Sequence, residues 1–191
     1  MIAIGDSVIV RIEKTHEDEM SHGKLTLELD PMFNPTNNAR IYGTVEGIGR
    51  DEKELKVGDK VYFHYLVVDD SHIYDDLYNV DISRIFCVVR DGRITMCRDW
   101  ALFKPVEEKT KDVQVGNHKI AGTLTESGLF KSATPKKSAT KAKLCYIGQN
   151  DLMLQGGEVV YLLPNFEFEN KIEGEVYYTC RQEYILGRDN D

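Results

Sequence analysis

The sequence predicts an all-β protein built from two copies of one small domain, and three observations carry that prediction. Short runs of β-branched and aromatic residues recur along the chain, each bounded by Gly, Asp or Asn. No segment of 12 or more residues shows a clean 3.6-residue period. The glycine and apolar signals of the first half return in the second at a constant spacing. Strands this short point to small barrels or sandwiches.

In chain order, the strand-like runs are Ser7–Arg11, Tyr42–Glu46, Lys60–Val68, Arg84–Arg90, Arg93–Met96, Ala101–Lys104, Glu158–Leu163 and Val176–Cys180. Val45-Glu-Gly-Ile-Gly49 aligns with Leu144-Cys-Tyr-Ile-Gly148 at an offset of 99 residues. The same offset sets Leu55-Lys-Val-Gly-Asp-Lys-Val-Tyr-Phe63 on Leu154-Gln-Gly-Gly-Glu-Val-Val-Tyr-Leu162, where Leu, Gly, Val and Tyr are identical. It also sets Tyr78 on Tyr177 and Ile85-Phe-Cys87 on Tyr184-Ile-Leu186. Upstream, Asp6-Ser-Val-Ile-Val-Arg11 matches Asp99-Trp-Ala-Leu-Phe-Lys104 at an offset of 93. Three such blocks in one order read as a duplication, with domains at 1–95 and 96–191.

Each copy places a long polar stretch after its first strand. The first, residues 13–38, holds six acids against Lys14 and Lys24 and carries the turn signals Asn34-Pro-Thr-Asn-Asn38. The second, residues 107–143, holds eight Lys against four acids, with Ser132–Thr140 reading as a low-complexity linker. Loops of this length inside a compact domain are functional or disordered. Their shared position favours function.

Composition narrows the function classes. With 24 Lys+Arg against 32 Asp+Glu the net charge is −8, which disfavours nucleic acid and anionic membranes as partners. Apolar residues make up 41%, enough for a packed core. No run approaches the ~20 apolar residues that span a bilayer. The opening Met-Ile-Ala-Ile-Gly-Asp has neither a basic nor a long apolar segment, so the chain reads as cytoplasmic. Cys87, Cys97, Cys145 and Cys180 form no CxxC pair and read as reduced thiols.

The ordered motifs resemble the GroES co-chaperonins, which close the folding chamber of GroEL-type chaperonins. The residues that carry the resemblance are Asp6–Arg11, Gly43-Thr-Val-Glu-Gly-Ile-Gly49 and Val57-Gly-Asp-Lys-Val-Tyr-Phe63. In the second copy they are Asp99–Lys104, Gly156–Tyr161 and Cys180–Leu186. The resemblance implies two tandem GroES-like small β-barrels with long mobile loops, in the manner of the double-domain chloroplast members or the divergent co-chaperonins of tailed phages. It implies a homo-oligomer that binds a GroEL-type chaperonin and encloses an unfolded client protein, with no cofactor and no catalysis of its own. Thr125-Glu-Ser-Gly-Leu-Phe130 is similar to the family's chaperonin-binding motif, which puts Gly128, Leu129 and Phe130 at the contact. In the first loop the corresponding residues are Gly23, Leu25 and Leu27, alternating around Thr26 where the family has consecutive aliphatics. The short Arg50–Glu54 loop and the insert Asp69–Asp76 depart from the family pattern.

Competing motifs carry less. His16 and His22 are six apart, so they do not make the helical pair of a zinc protease, and a solvated acidic loop is the plainer reading. The Asp69, Asp70, His72, Asp75 and Asp76 cluster reads as a charged hairpin tip rather than a cation site. No phosphate-binding loop joins a strand to a helix, so no ATP binding is expected. No nucleophile has a recognisable partner set. Lys131–Lys143 lacks interleaved aromatics and reads as a solubilising linker. Phe130 is either a chaperonin anchor or a buried strand start. Trp100 suits a barrel end or a seam between domains. Two rivals to the co-chaperonin are a virion-associated scaffold using the same fold and a fragment of a zinc alcohol dehydrogenase. The latter lacks both its Cys/His ligands and its dinucleotide fingerprint.

Overall fold

The structure, a computed structural model, describes residues 2–15, 19–22, 25–28, 39–107, 112–115, 118–124, 130–132, 137–149, 152–164 and 168–189. Strands dominate: β1 Ser7–Arg11, β2 Glu19–His22, β3 Leu25–Glu28, β4 Tyr42–Ile48, β5 Lys60–Phe63, β6 His72–Tyr74, β7 Leu77–Asp81, β8 Ile85–Arg90 and β9 Arg93–Met96 in the first half. The second half adds β10 Trp100–Glu107, β11 Asp112–Val115, β12 His118–Leu124, β13 Phe130–Ser132, β14 Lys137–Ile147, β15 Val159–Leu162, β16 Phe168–Ile172, β17 Glu175–Arg181 and β18 Ile185–Arg188. One four-residue helix, α1 (Val67–Asp70), and two 3-10 turns complete the described elements. The chain divides into two compact units, Met1–Ala101 with Tyr146–Met153, and Leu102–Cys145 with Leu154–Asp191.

The main sheets are antiparallel and repeat one order. The first runs β6-β7-β1-β4-β5-β8-β9 and the second β16-β17-β10-β14-β15-β18. Strand for strand the second matches the first, apart from β9. The agreement extends to single hydrogen bonds. Gly58 N–H donates to Val45 O at 2.8 Å, and Gly157 N–H to Leu144 O at 2.8 Å. Both glycines sit at positive φ, +91° and +98°, where a side chain is strained. The acid that follows caps the turn. Asp59 Oδ2 accepts from Lys56 N–H at 2.6 Å, and Glu158 Oε2 from Gln155 N–H at 2.9 Å.

The offset holds at 99 through Leu162 and then becomes 100. Phe63 faces Ile85 across a register shift, and Leu162 faces Ile185 across the matching one. Ile85-Phe-Cys87 therefore answers to Ile185-Leu-Gly187, not to Tyr184-Ile-Leu186. The extra residue is taken up in the hairpin before it, where β17 has seven residues and β7 five.

In the first unit Val8 and Val10 of β1 enter a core with Val45, Val61, Phe63 and Val80. Ile9, on the opposite face, meets Ala3 and Leu77. The strand is buried on both sides, which explains its unbroken apolar run. Lys60–Val68, expected as one strand, stops at Phe63. Val67 turns into the core from α1 and is fully buried. Trp100 is buried against Phe86, ring centroids 4.6 Å apart at 71°, and its indole N–H donates to Ser83 O at 2.9 Å. All four cysteines are free. Among the described residues no helix is long and apolar enough to cross a membrane.

Asp59 also takes Arg90 as a partner, Oδ1 accepting from Nε at 2.7 Å, and its carboxylate is buried. Burial acts to raise its pKa, but the Arg90 and Lys56 donors outweigh it and hold the group below its ordinary range. A depressed carboxylate contributes stability above its unfolded pKa and loses it as pH falls through the folded one. Asp59→Ala is expected to destabilise the chain by about 1–3 kcal/mol at neutral pH, since it strands two donors. That difference should shrink on acidification below the ordinary carboxylate range. Urea unfolding of both proteins across that pH range checks the sign; a gap that widens in acid contradicts it.

Candidate functional site

Both long insertions leave the sheet at the same point, between β1 and β4 in the first unit and between β10 and β14 in the second. These flanking strands are sheet neighbours in each case, so each insertion departs from and returns to adjacent strands. In the first unit the neck is closed by Arg40 N–H donating to Thr15 O at 2.7 Å. The last residue of the shared first-strand motif is basic in both units and is fastened to the neighbouring hairpin. Arg11 Nε donates to Glu46 at 2.8 Å and its Nη1 to Asp76 at 2.7 Å. Lys104 Nζ reaches Glu175 at 2.8 Å. Hydrogen bonds to Glu46 and Asp76 hold the Arg11 guanidinium firmly charged, and that to Glu175 raises the Lys104 pKa. The offset of 93 already aligned Arg11 with Lys104, so the sequence carried this signal, though the acid partners lie far away along the chain.

The insertions contain strands where long loops were expected. In the first, β2 and β3 pair antiparallel: Met20 faces Leu27, Ser21 faces Thr26 and His22 faces Leu25. In the second, β11, β12 and β13 form a three-stranded sheet, with Leu124 opposite Phe130. The expected linker over Ser132–Thr140 is likewise shorter than predicted, since β14 begins at Lys137. The physical reason is period-2 alternation in polar dress. Leu25-Thr-Leu27 and Val113-Gln-Val115 each put apolar side chains on one face of a strand while keeping the average polarity of a loop.

Leu25 lies in β3 and is 59% exposed, and Leu27 follows two residues later in the same strand. Phe130 opens β13, as a strand start rather than a loop residue. Gly23, Gly128 and Leu129 lie outside the described residues, as do His16 and residues 133–136. The acidic insert is used locally. Asp70 pairs with Arg84, Asp76 with Arg11, and Asp75 takes the turn at φ +49° between β6 and β7. Among the described residues no group of three His, Cys, Asp or Glu side chains converges as a metal site.

Beside the first neck, Arg40 lies 5.0 Å from the Tyr42 ring centre, and Lys60 lies 4.9 Å from Tyr42 and 5.3 Å from Tyr62. In the second unit Lys141 covers Tyr161 at 4.8 Å and also binds Asp189 at 2.8 Å. These cation–aromatic contacts stiffen the strands from which the insertions project. The arrangement suits presenting two strand-bearing arms to a partner. No protein-family model matches the chain, and no curated protein is similar to it.

Proposed function

We propose that the chain is a non-enzymatic co-chaperonin, a tandem protein of two GroES-like small β-barrels that oligomerises in the cytoplasm and caps a GroEL-type chaperonin through its inserted arms. One observation carries this reading: two units with the same strand order each emit an apolar-bearing insertion from the same pair of adjacent strands. A lid that leaves at each cycle needs contacts that are weak singly and strong together. Arms that order on contact lose entropy in doing so, which keeps each contact weak. Several arms on one assembly restore affinity by raising the effective concentration.

Gly128, Leu129 and Phe130 are the principal contact in this proposal, with Gly23, Leu25 and Leu27 secondary. The partner hydrolyses ATP and the unfolded client sits in its cavity. A virion-associated scaffold is the second reading, and the paired β2–β3 hairpin favours it, because Leu25 and Leu27 sit in a ladder rather than in an unpaired motif. Association with a purified GroEL-type chaperonin in ADP separates the two: a co-chaperonin binds, and a scaffold does not.

A further inference from the structure

The two units differ at one sheet edge, and the difference is informative. In the first unit β9 covers the outer side of β8, with Cys87 opposite Met96, Val88 opposite Thr95 and Val89 opposite Ile94. Cys97 N–H extends the ladder by donating to Phe86 O at 2.9 Å. Phe86 and Cys97 are thereby buried, each at 1% exposure. In the second unit β18 takes the place of β8, and among the described residues it is the outermost strand of its sheet. Leu186, the counterpart of Phe86, is 63% exposed.

The chain also carries a second copy of the missing strand. The offset of 93 that relates the first strands is fixed by matching backbone contacts. Gly49 N–H donates to Ser7 O, and Gly148 N–H to Trp100 O, 93 residues on. A Cβ on Gly49 meets Gly5 O, and one on Gly148 meets Arg98 O, again 93 residues on. Gly5 and Arg98 both sit at positive φ. By this offset Thr95, Met96 and Cys97 correspond to Ile2, Ala3 and Ile4. Ala3 and Met96 are both buried, but Ile2 is 82% and Ile4 90% exposed, whereas Cys97 is enclosed. An apolar edge and an apolar strand segment are thus both left in solvent, and a pairing of their counterparts already exists inside the chain.

We propose that residues 2–4 of one copy add as a strand to the open edge of β18 of a second copy, in the register in which β9 pairs with β8. Ala3 then faces Gly187, Ile2 faces Arg188, and Ile4 N–H donates to Leu186 O. Strand addition satisfies the free backbone groups of an edge, and the burial of Ile4 and Leu186 adds a hydrophobic component. The contact joins different surfaces of the two copies, so it propagates head to tail into a ring or a filament. The inference rests on the duplication and not on the proposed function. Assembly without chaperonin binding would keep it and overturn the co-chaperonin reading.

The test uses two single variants of the full chain, Ala3→Cys and Gly187→Cys. An added Cβ at Gly187 meets no atom within 4 Å, so the cysteine fits there. Mixed in equal amounts and mildly oxidised, the two variants should form disulfide-linked dimers at least about ten-fold more than either variant alone or the unmodified chain. Sedimentation velocity of the unmodified chain should give a mass of several chains, and Leu186→Asp, at an exposed position, should reduce it to one. A single-chain mass for the unmodified protein, or no excess of dimer in the mixture, overturns the proposal.

Discussion

Replacing Leu129 and Phe130 together with serine is expected to abolish ADP-dependent association with a GroEL-type chaperonin while leaving the chain folded. Burying a Leu or Phe side chain contributes about 1.5–3 kcal/mol, so the double change removes about 3–6 kcal/mol per arm. Even the lower figure is about a hundred-fold in affinity for one arm, and it multiplies over the arms that bind together. Folding should persist because β13, which Phe130 opens, belongs to a three-stranded sheet distinct from the six-stranded one. The matching change in the first arm, Leu25 and Leu27 to serine, should weaken association less. Those two residues alternate in a paired strand, so they present one narrow face rather than two adjacent anchors. Light scattering of the chaperonin complex reads the first effect, and thermal unfolding run in parallel reads the second. Normal association by the Leu129/Phe130 variant, or its unfolding, contradicts the assignment.

Gly49→Ala and Gly148→Ala are expected to be the most destabilising single-methyl changes in the chain. A Cβ on Gly49 falls 2.1 Å from Gly5 O and 2.8 Å from Ser7 O. On Gly148 it falls 1.9 Å from Arg98 O. These neighbours are backbone atoms, so relief requires the chain to move, and each site is already tied by its own N–H to the first strand of the motif. Overpacking costs about 1–3 kcal/mol in ordinary cores and more where nothing can yield. We expect about 3 kcal/mol or more at each position, a fall in Tm of at least about 10 °C for a domain of this size. Gly187→Ala is the control. It has open space and no positive φ, and should change stability by no more than about 0.5 kcal/mol. Equal melting of all three variants would mean that the two glycines do not hold the strands together.

What was legible in the sequence follows from the same physics. Gly49, Gly58, Gly148 and Gly157 could be aligned because backbone approach and positive φ admit almost no other residue, so the duplication left its mark there. The all-β class and the positions of β1, β5, β8, β9 and β15 were readable because buried strands concentrate β-branched and aromatic residues. Three features were not. The arms read as loops because their strands alternate apolar residues with Thr, Gln, Lys and Ser, and average polarity hides a period of two. Lys60–Val68 read as one strand because an apolar run does not reveal where extended backbone gives way to a single helical turn. The slip from an offset of 99 to 100 lies in the hairpin β16–β17, whose lengthened strand changes register without changing composition. Arg11, Lys104 and their acid partners illustrate a further limit: pairs such as Arg11 and Asp76 are brought together by sheet order, which the sequence does not display.

The measurement that bears most directly on the central claim is co-sedimentation of the full chain with a purified GroEL-type chaperonin, with and without ADP. The co-chaperonin reading predicts a stoichiometric complex that forms with nucleotide, dissociates when nucleotide is removed, and is lost in the Leu129/Phe130 variant. A chain that remains in the supernatant with ADP present, while sedimenting as a folded assembly on its own, would contradict it.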